Sequence, residues 1–278
     1  MKAIVSRAIR VVLVPVFLFI AGCATVYNPA TGRKEVIFID KQSQIAIGTE
    51  MAKKLEKEYP LYENARETEY VNRIGQKVAR AGDRPNLAYH FKILDIKEVN
   101  AFALPGGFVY VTKGLLDIAN KDELAAVLGH EIGHIAARHG IKKLQTQLGY
   151  SFLSALIFRG NNYKDVGIER ASDTAFNLIS LGYSREDEFQ ADQLGTLYSY
   201  RAGYGLQGML NFLKKLKKME KQEPSLLKDF LSTHPPTSER IKAVEKEIKK
   251  LKDKKQISKG REKEGTKAQS DKGTKETH

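Results

Sequence analysis

The chain has 278 residues but only one cysteine, no tryptophan and 8 prolines. A single cysteine excludes an internal disulfide framework. Long hydrophobic runs are missing too. The longest, Val11 to Ile20, is interrupted by Pro15 and is far shorter than the roughly 20 residues a bilayer-crossing helix needs. There is no glycine repeat of the fibrous kind, and with 42% hydrophobic residues the chain is not depleted enough for wholesale disorder. Acidic charge is in the minority, 33 Asp and Glu against 46 Lys and Arg, for a formal net charge of +13. This length supports one sizeable core rather than several.

The lone cysteine has a context. Lys2, Arg7 and Arg10 form a basic start, the short apolar run follows, and Ile20-Ala21-Gly22-Cys23 closes it. The pattern reads as a secretory signal. Its last four residues resemble a bacterial lipobox, which implies a signal peptide over 1–22, cleavage after Gly22 and lipidation of Cys23. The competing reading is an ordinary signal peptide with an incidental cysteine. Ala24 is not the Asp that marks inner-membrane retention, so the resemblance points to a lipid-anchored protein on the periplasmic face of the bacterial outer membrane. At the other end, 242–278 carries 13 Lys and Arg against 7 Asp and Glu, and beyond Ile257 no large apolar residue occurs. A Lys-rich, disordered tail over 256–278 is therefore expected, leaving 23–255 as the folded domain with its short N-terminal linker. A secreted, lipidated chain argues against nucleic acid as a partner despite the basic excess.

Between anchor and tail the patterning predicts helices with a small sheet. Ile47, Met51, Leu55 and Tyr59 recur at helical spacing, as do Val71, Ile74 and Val78. Tyr89, Phe91 and Ile93 alternate with polar neighbours, and Phe108 to Val111 follows the Pro105-Gly106-Gly107 turn, so two strands of one sheet are expected. Asn120 to Glu123 reads as a capping box opening a long helix that ends at Gly140. Further helices are expected over Ile141 to Phe158, after Ser184, and at Ile241 to Leu251, with a polar, mobile stretch from Arg159 to Asp165.

The chemistry sits in His130-Glu131-Ile132-Gly133-His134. Histidines at i and i+4 lie on one helix face, one turn apart, where both can ligate a single Zn²⁺, while Glu131 falls beside a metal-bound water. Leu124, Val127, Leu128 and Ile135 make this helix apolar, and burying two imidazoles and a carboxylate there without a partner would be costly. His139, nine residues past His130, falls on the opposite side of such a helix and reads as a structural or helix-dipole histidine. A catalytic zinc takes three protein ligands and keeps one position open. Downstream, Glu188 and Asp192 stand one turn apart, with Glu186 and Asp187 as competitors for the third place. Asp192 is suited to orient a ligand histidine.

Together with the later Ser184-Arg185-x-x-Glu188-x-x-Ala191-Asp192, the motif resembles the HtpX and CAAX-prenyl-protease group of gluzincin zinc metallopeptidases, particularly its short periplasmic lipoproteins. Asn100-Ala101-Phe102-Ala103-Leu104-Pro105-Gly106-Gly107 is similar to a segment preceding that group's active-site strand, and Thr233-His234-Pro235 with Arg240 resembles another of its motifs. The group's multi-span membrane segments and the C-terminal helical repeats of some members are not expected here. The resemblance implies an α+β, mainly helical zincin-like fold with a small sheet whose edge strand borders the active-site cleft. It implies a zinc endopeptidase with one Zn²⁺ per chain held by His130, His134 and Glu188, and Glu131 as general base toward metal-bound water. His234 is then the first candidate for stabilising the oxyanion, Asn100 for holding the substrate backbone, and Asp192 and Arg240 for supporting the site.

An extended peptide adding to the edge of the Phe108, Val109, Tyr110 strand would be bound through its backbone with little sequence preference, which suits unfolded or misassembled envelope proteins. An imidazole at His234 held near the metal could instead fill the open position and keep the resting protein latent. The competing class is a non-catalytic envelope chaperone or assembly lipoprotein in which zinc is a brace, but brace sites are usually closed by four ligands and rich in cysteine.

Overall fold

The computed structural model describes residues 25–158, 161–235 and 237–254. The expected signal segment over 1–22, Cys23 and the tail over 256–278 lie outside the described residues. Within them the architecture is mainly helical with two small sheets, the α+β class the motifs implied. No helix among the described residues is long and apolar enough to cross a membrane.

The chain enters as an antiparallel hairpin, β1 (Thr25–Asn28) and β2 (Arg33–Val36). Helix α1 (Lys41–Glu58) starts where the Asp40 side chain accepts from the Ser43 N–H, and it buries Ile47, Met51 and Leu55. Helix α2 (Ala65–Arg80), capped by Asn64, buries Val71, Ile74 and Val78. The second sheet holds β3 (His90–Leu94), β4 (Ala101–Leu104) and β5 (Phe108–Thr112) in the order β3-β5-β4, with β3 parallel and β4 antiparallel to β5. Gly106 and Gly107 in the β4–β5 turn have φ of 80° and 108°. A Cβ on Gly107 would sit 2.1 Å from the Ala88 carbonyl oxygen, so only glycine fits there.

The sheet corrects one expectation. The 108–111 strand is the centre of the sheet, not its edge, and its backbone is paired on both sides. The edge facing the later helices is β4, which alternation did not reveal because Ala101, Phe102, Ala103 and Leu104 are all apolar. Both faces of this sheet are covered, and a strand covered on both faces loses the polar half of its pattern. Phe91, Ile93, Val109 and Val111 pack toward α2 and the helix that follows, in one cluster, whereas Leu94 and Tyr110 pack with α1 in another.

After α3 (Lys113–Ile118) comes α4 (Lys121–Ala136), opened by the expected capping box of Asn120 and Glu123. It ends four residues earlier than Gly140. Arg138 takes a left-handed φ of 58°, its guanidinium donating to the carbonyls of Tyr27 and Ala136, and a new helix, α5 (His139–Phe158), starts at once. Next is α6 (Asn161–Ser180); of the expected polar stretch, 159 and 160 lie outside the described residues and 161–165 belong to this helix. The rest is α7 (Arg185–Arg201), α8 (Gly208–Gln222), the short α9 (Lys228–Thr233) and α10 over 238–254.

Helices α4 and α7 meet backbone to backbone. A Cβ on Gly195 would lie 2.6 Å from the His130 nitrogen, and one on Gly129 would lie 2.8 Å from the Gly195 carbonyl oxygen. This closeness brings the carboxylates of α7 within reach of the histidines of α4.

Candidate metal centre

One turn of α4 separates His130 and His134, and their Nε2 atoms stand 3.0 Å apart. Helix α7 adds Glu188, with Oε1 3.3 Å from His134 Nε2 and Oε2 3.5 Å from His130 Nε2. At the end of α9, His234 turns Nδ1 inward, 2.9 Å from Glu188 Oε1 and 3.4 Å from His130 Nε2. One ligand atom from each of the four residues lies within 4.8 Å of the others, and all four residues are buried. The competitors of Glu188 are engaged elsewhere. Asp187 closes the cap of α7 with Ser184, and Glu186 accepts from Gln190.

The residues fit a divalent cation. Three imidazole nitrogens and a carboxylate converge in a buried cluster where protons could satisfy only some of the facing pairs, and Glu131 Oε2 is buried there without a hydrogen-bond partner among the described residues. Burial raises the Glu131 carboxyl above its ordinary range, against the lowering pull of His234 and His130. For Glu188, burial pushes upward too, but His234 and Arg240 outweigh it and hold the carboxyl well below its usual value.

Both histidines of the motif are held from behind. Asp192 Oδ1 lies 2.9 Å from His130 Nδ1, and as a carboxylate it can only accept, so Nδ1 carries the proton and Nε2 presents its lone pair to the cluster. Arg240 donates to both oxygens of Asp192, at 2.7 and 2.8 Å, and ion-pairs with Glu188 at 2.8 Å. Behind His134 stands His139, with the two Nδ1 atoms 2.9 Å apart and His139 Nε2 3.2 Å from Gln190 Oε1. Asp187 also lies 3.4 Å from that Nε2. A proton on His139 Nε2, donated to Gln190, leaves His139 Nδ1 as acceptor, so His134 donates through Nδ1 and keeps Nε2 free. The expectation that His139 faces away is corrected, because the break at Arg138 folds it back against the cluster. Gln190 and Tyr183, whose ring stacks on His134 with centroids 4.1 Å apart, were not picked out by sequence; both lie near the motif helix only in space.

The substrate-contact residues expected on the 108–111 strand serve the core instead. Val109 and Tyr110 are buried, the Tyr110 hydroxyl donates to Glu56, and Phe108 stacks on His90. Asn100 does reach the cleft, lining a cavity beside His234, although its side-chain oxygen accepts from the next backbone N–H.

Comparison with known proteins bears on this geometry. The sequence profile described as Peptidase family M48 matches residues 65–248. The metalloprotease LoiP of Escherichia coli K12 is 29% identical over 183 residues, covering 64% of this chain and 70% of that protein. The metalloprotease YcaL of the same organism is 26% identical over 188 residues, 66% and 72% of the two chains. Its beta-barrel assembly-enhancing protease is 27% identical over 213 residues, 72% of this chain but 44% of that one. The chain thus spans less than half the length of the assembly-enhancing proteases it matches.

Proposed function

The chain belongs to peptidase family M48, and on that premise we propose that it is a zinc-dependent endopeptidase acting on unfolded or misassembled cell-envelope proteins. The convergence of His130, His134 and Glu188, with Glu131 buried beside them, carries this reading. The relatives named metalloproteases support it. For the substrate class the support is the similarity to the beta-barrel assembly-enhancing proteases. Lipid anchoring at Cys23 on the periplasmic face of the outer membrane rests on the sequence of the first 23 residues.

His130, His134 and Glu188 would hold the metal. A zinc ion supplies Lewis acidity toward the scissile carbonyl and lowers the pKa of water toward 7. Glu131, buried beside the candidate ligands, would take the proton of the attacking water and return it to the leaving amine. Asp192 and Arg240 keep His130 and Glu188 aimed. An extended substrate would run along β4, the edge strand, rather than the central β5.

His234 completes a set of four donors, the number typical of a closed site. With a metal held by the other three residues, His234 Nδ1 would stand in place of water or substrate, so we read the fold as a resting form that would open when the α9 end moves. The same closure is the observation favouring a second reading, a non-catalytic zinc-braced envelope chaperone.

One experiment separates them: casein cleavage by the purified mature protein with its metal content determined, with and without chelator, beside Glu131→Gln. Cleavage lost with chelator and lost in the variant, zinc still bound, supports the protease. Zinc bound with no cleavage by wild type or His234→Ala would leave the brace.

A further inference from the structure

Beside His234 the fold leaves a cavity of about 470 Å³. We infer that it is a substrate subsite selecting a large apolar side chain that lies next to a lysine or arginine in an extended peptide. This rests on the protease reading and deepens it.

The cavity is built by the edge strand. Asn100, Phe102 and Leu104 line it, every second position, while the intervening Ala101 and Ala103 pack into the core on the other face. Leu55 from α1, Leu94 from β3 and Ile179 from α6 complete a buried apolar floor. A peptide paired along β4 would therefore send alternate side chains over this floor, immediately beside His234. The apolar character continues onto the surface. Tyr59 lines the mouth at 36% exposure, Leu61 is bridged to Leu94 and is 38% exposed, and Leu181, which follows the lining residue Ser180, is 75% exposed. Large side chains left in water around a cavity of this size mark a place where apolar surface is expected to bind.

The charge at the mouth narrows the ligand further. The charged residues among the described lining are Glu98 and Asp229, apart from His234, and no Lys or Arg is among them. Both carboxylates are exposed and neither is ion-paired among the described residues. The Val99 N–H donates to the Leu226 carbonyl at 2.8 Å, tying the segment of Glu98 to the turn that leads into Asp229, so both charges sit on one rim. On a chain of net charge +13, a described lining that holds two carboxylates and no Lys or Arg is complementary to a basic side chain on the peptide.

The test uses fluorescent ten-residue peptides with one Phe beside Lys, Glu or Ser, bound to the zinc-loaded mature Glu131→Gln protein at low salt. The Lys peptide is expected to bind about tenfold tighter than the Glu peptide. Adding Glu98→Gln and Asp229→Asn, both surface changes, should erase that difference, and replacing Phe by Gly should weaken binding in either background. Equal affinities, a difference that survives the double change, or no binding at all would overturn the subsite. Turnover of the Lys peptide by the wild type and by His234→Ala is read separately: selective binding without turnover by either would sink the protease reading and leave the subsite standing.

Discussion

His139 Nδ1 lies 2.9 Å from His134 Nδ1, a contact between a ring in the candidate metal centre and one behind it. With Gln190 and Asp187 at its far nitrogen, His139 sets which nitrogen of His134 is left for a metal. Removing such a partner usually weakens metal binding by about 10–100-fold. His139→Ala is expected to fall in that range by chelator competition, with the fold retained by circular dichroism. Unchanged affinity would mean that the tautomer of His134 needs no help.

His234→Ala takes away the fourth donor. If His234 closes the site, casein turnover by the variant should rise several-fold while one zinc per chain remains. A fall to background instead would assign His234 to the oxyanion.

Arg240 is 3% exposed and faces two buried carboxylates, Asp192 and Glu188. Arg240→Met leaves both without their cation, which costs about 3–5 kcal/mol when a buried pair is broken. Urea unfolding of the metal-free protein should show that loss, and zinc should restore part of it by replacing the missing positive charge.

Gly195→Ala forces a Cβ to within 2.6 Å of the His130 backbone nitrogen. Helices α4 and α7 must separate, at about 1–3 kcal/mol for overpacking. Separation also moves Glu188 away from both histidines, so zinc affinity should drop together with the melting temperature. A variant that melts lower but binds zinc as tightly would show that the helix crossing is not what sets the ligand spacing.

Tyr89 is buried and its hydroxyl has no hydrogen-bond partner among the described residues. Burial pushes it up to about 12 from 10.0. The folded state therefore keeps the phenol proton that the unfolded chain releases above pH 10, and stability present below pH 10 is lost as pH rises toward 12. Tyr89→Phe should be neutral or slightly stabilising at pH 7, since it removes an unsatisfied buried hydroxyl. Its urea midpoint should also fall less than the wild type's between pH 8 and 11.

Legibility in the sequence followed the range of the forces involved. The start of α4 was readable because a capping box is a local bargain among Asn120, Asp122 and Glu123. Its end was not, because the stop is a left-handed Arg138 held by the carbonyl of Tyr27, 111 residues away. The alternating strand β3 was visible, and β4 was hidden by having both faces covered.

By itself the sequence determined the helix face carrying His130 and His134, the base between them and the candidate carboxylates one turn apart, since these depend only on the 3.6-residue period. Which carboxylate joins the histidines, that His234 closes the set, that His139 returns to support His134, and that β4 rather than β5 is the edge were decided by tertiary structure. Those choices depend on how closely α4 and α7 approach through Gly129 and Gly195, and on hydrogen bonds between groups 46 to 104 residues apart, such as His234 with Glu188 and with His130. Contacts of that kind leave no periodic trace in the chain, because their residues become neighbours only after the helices pack.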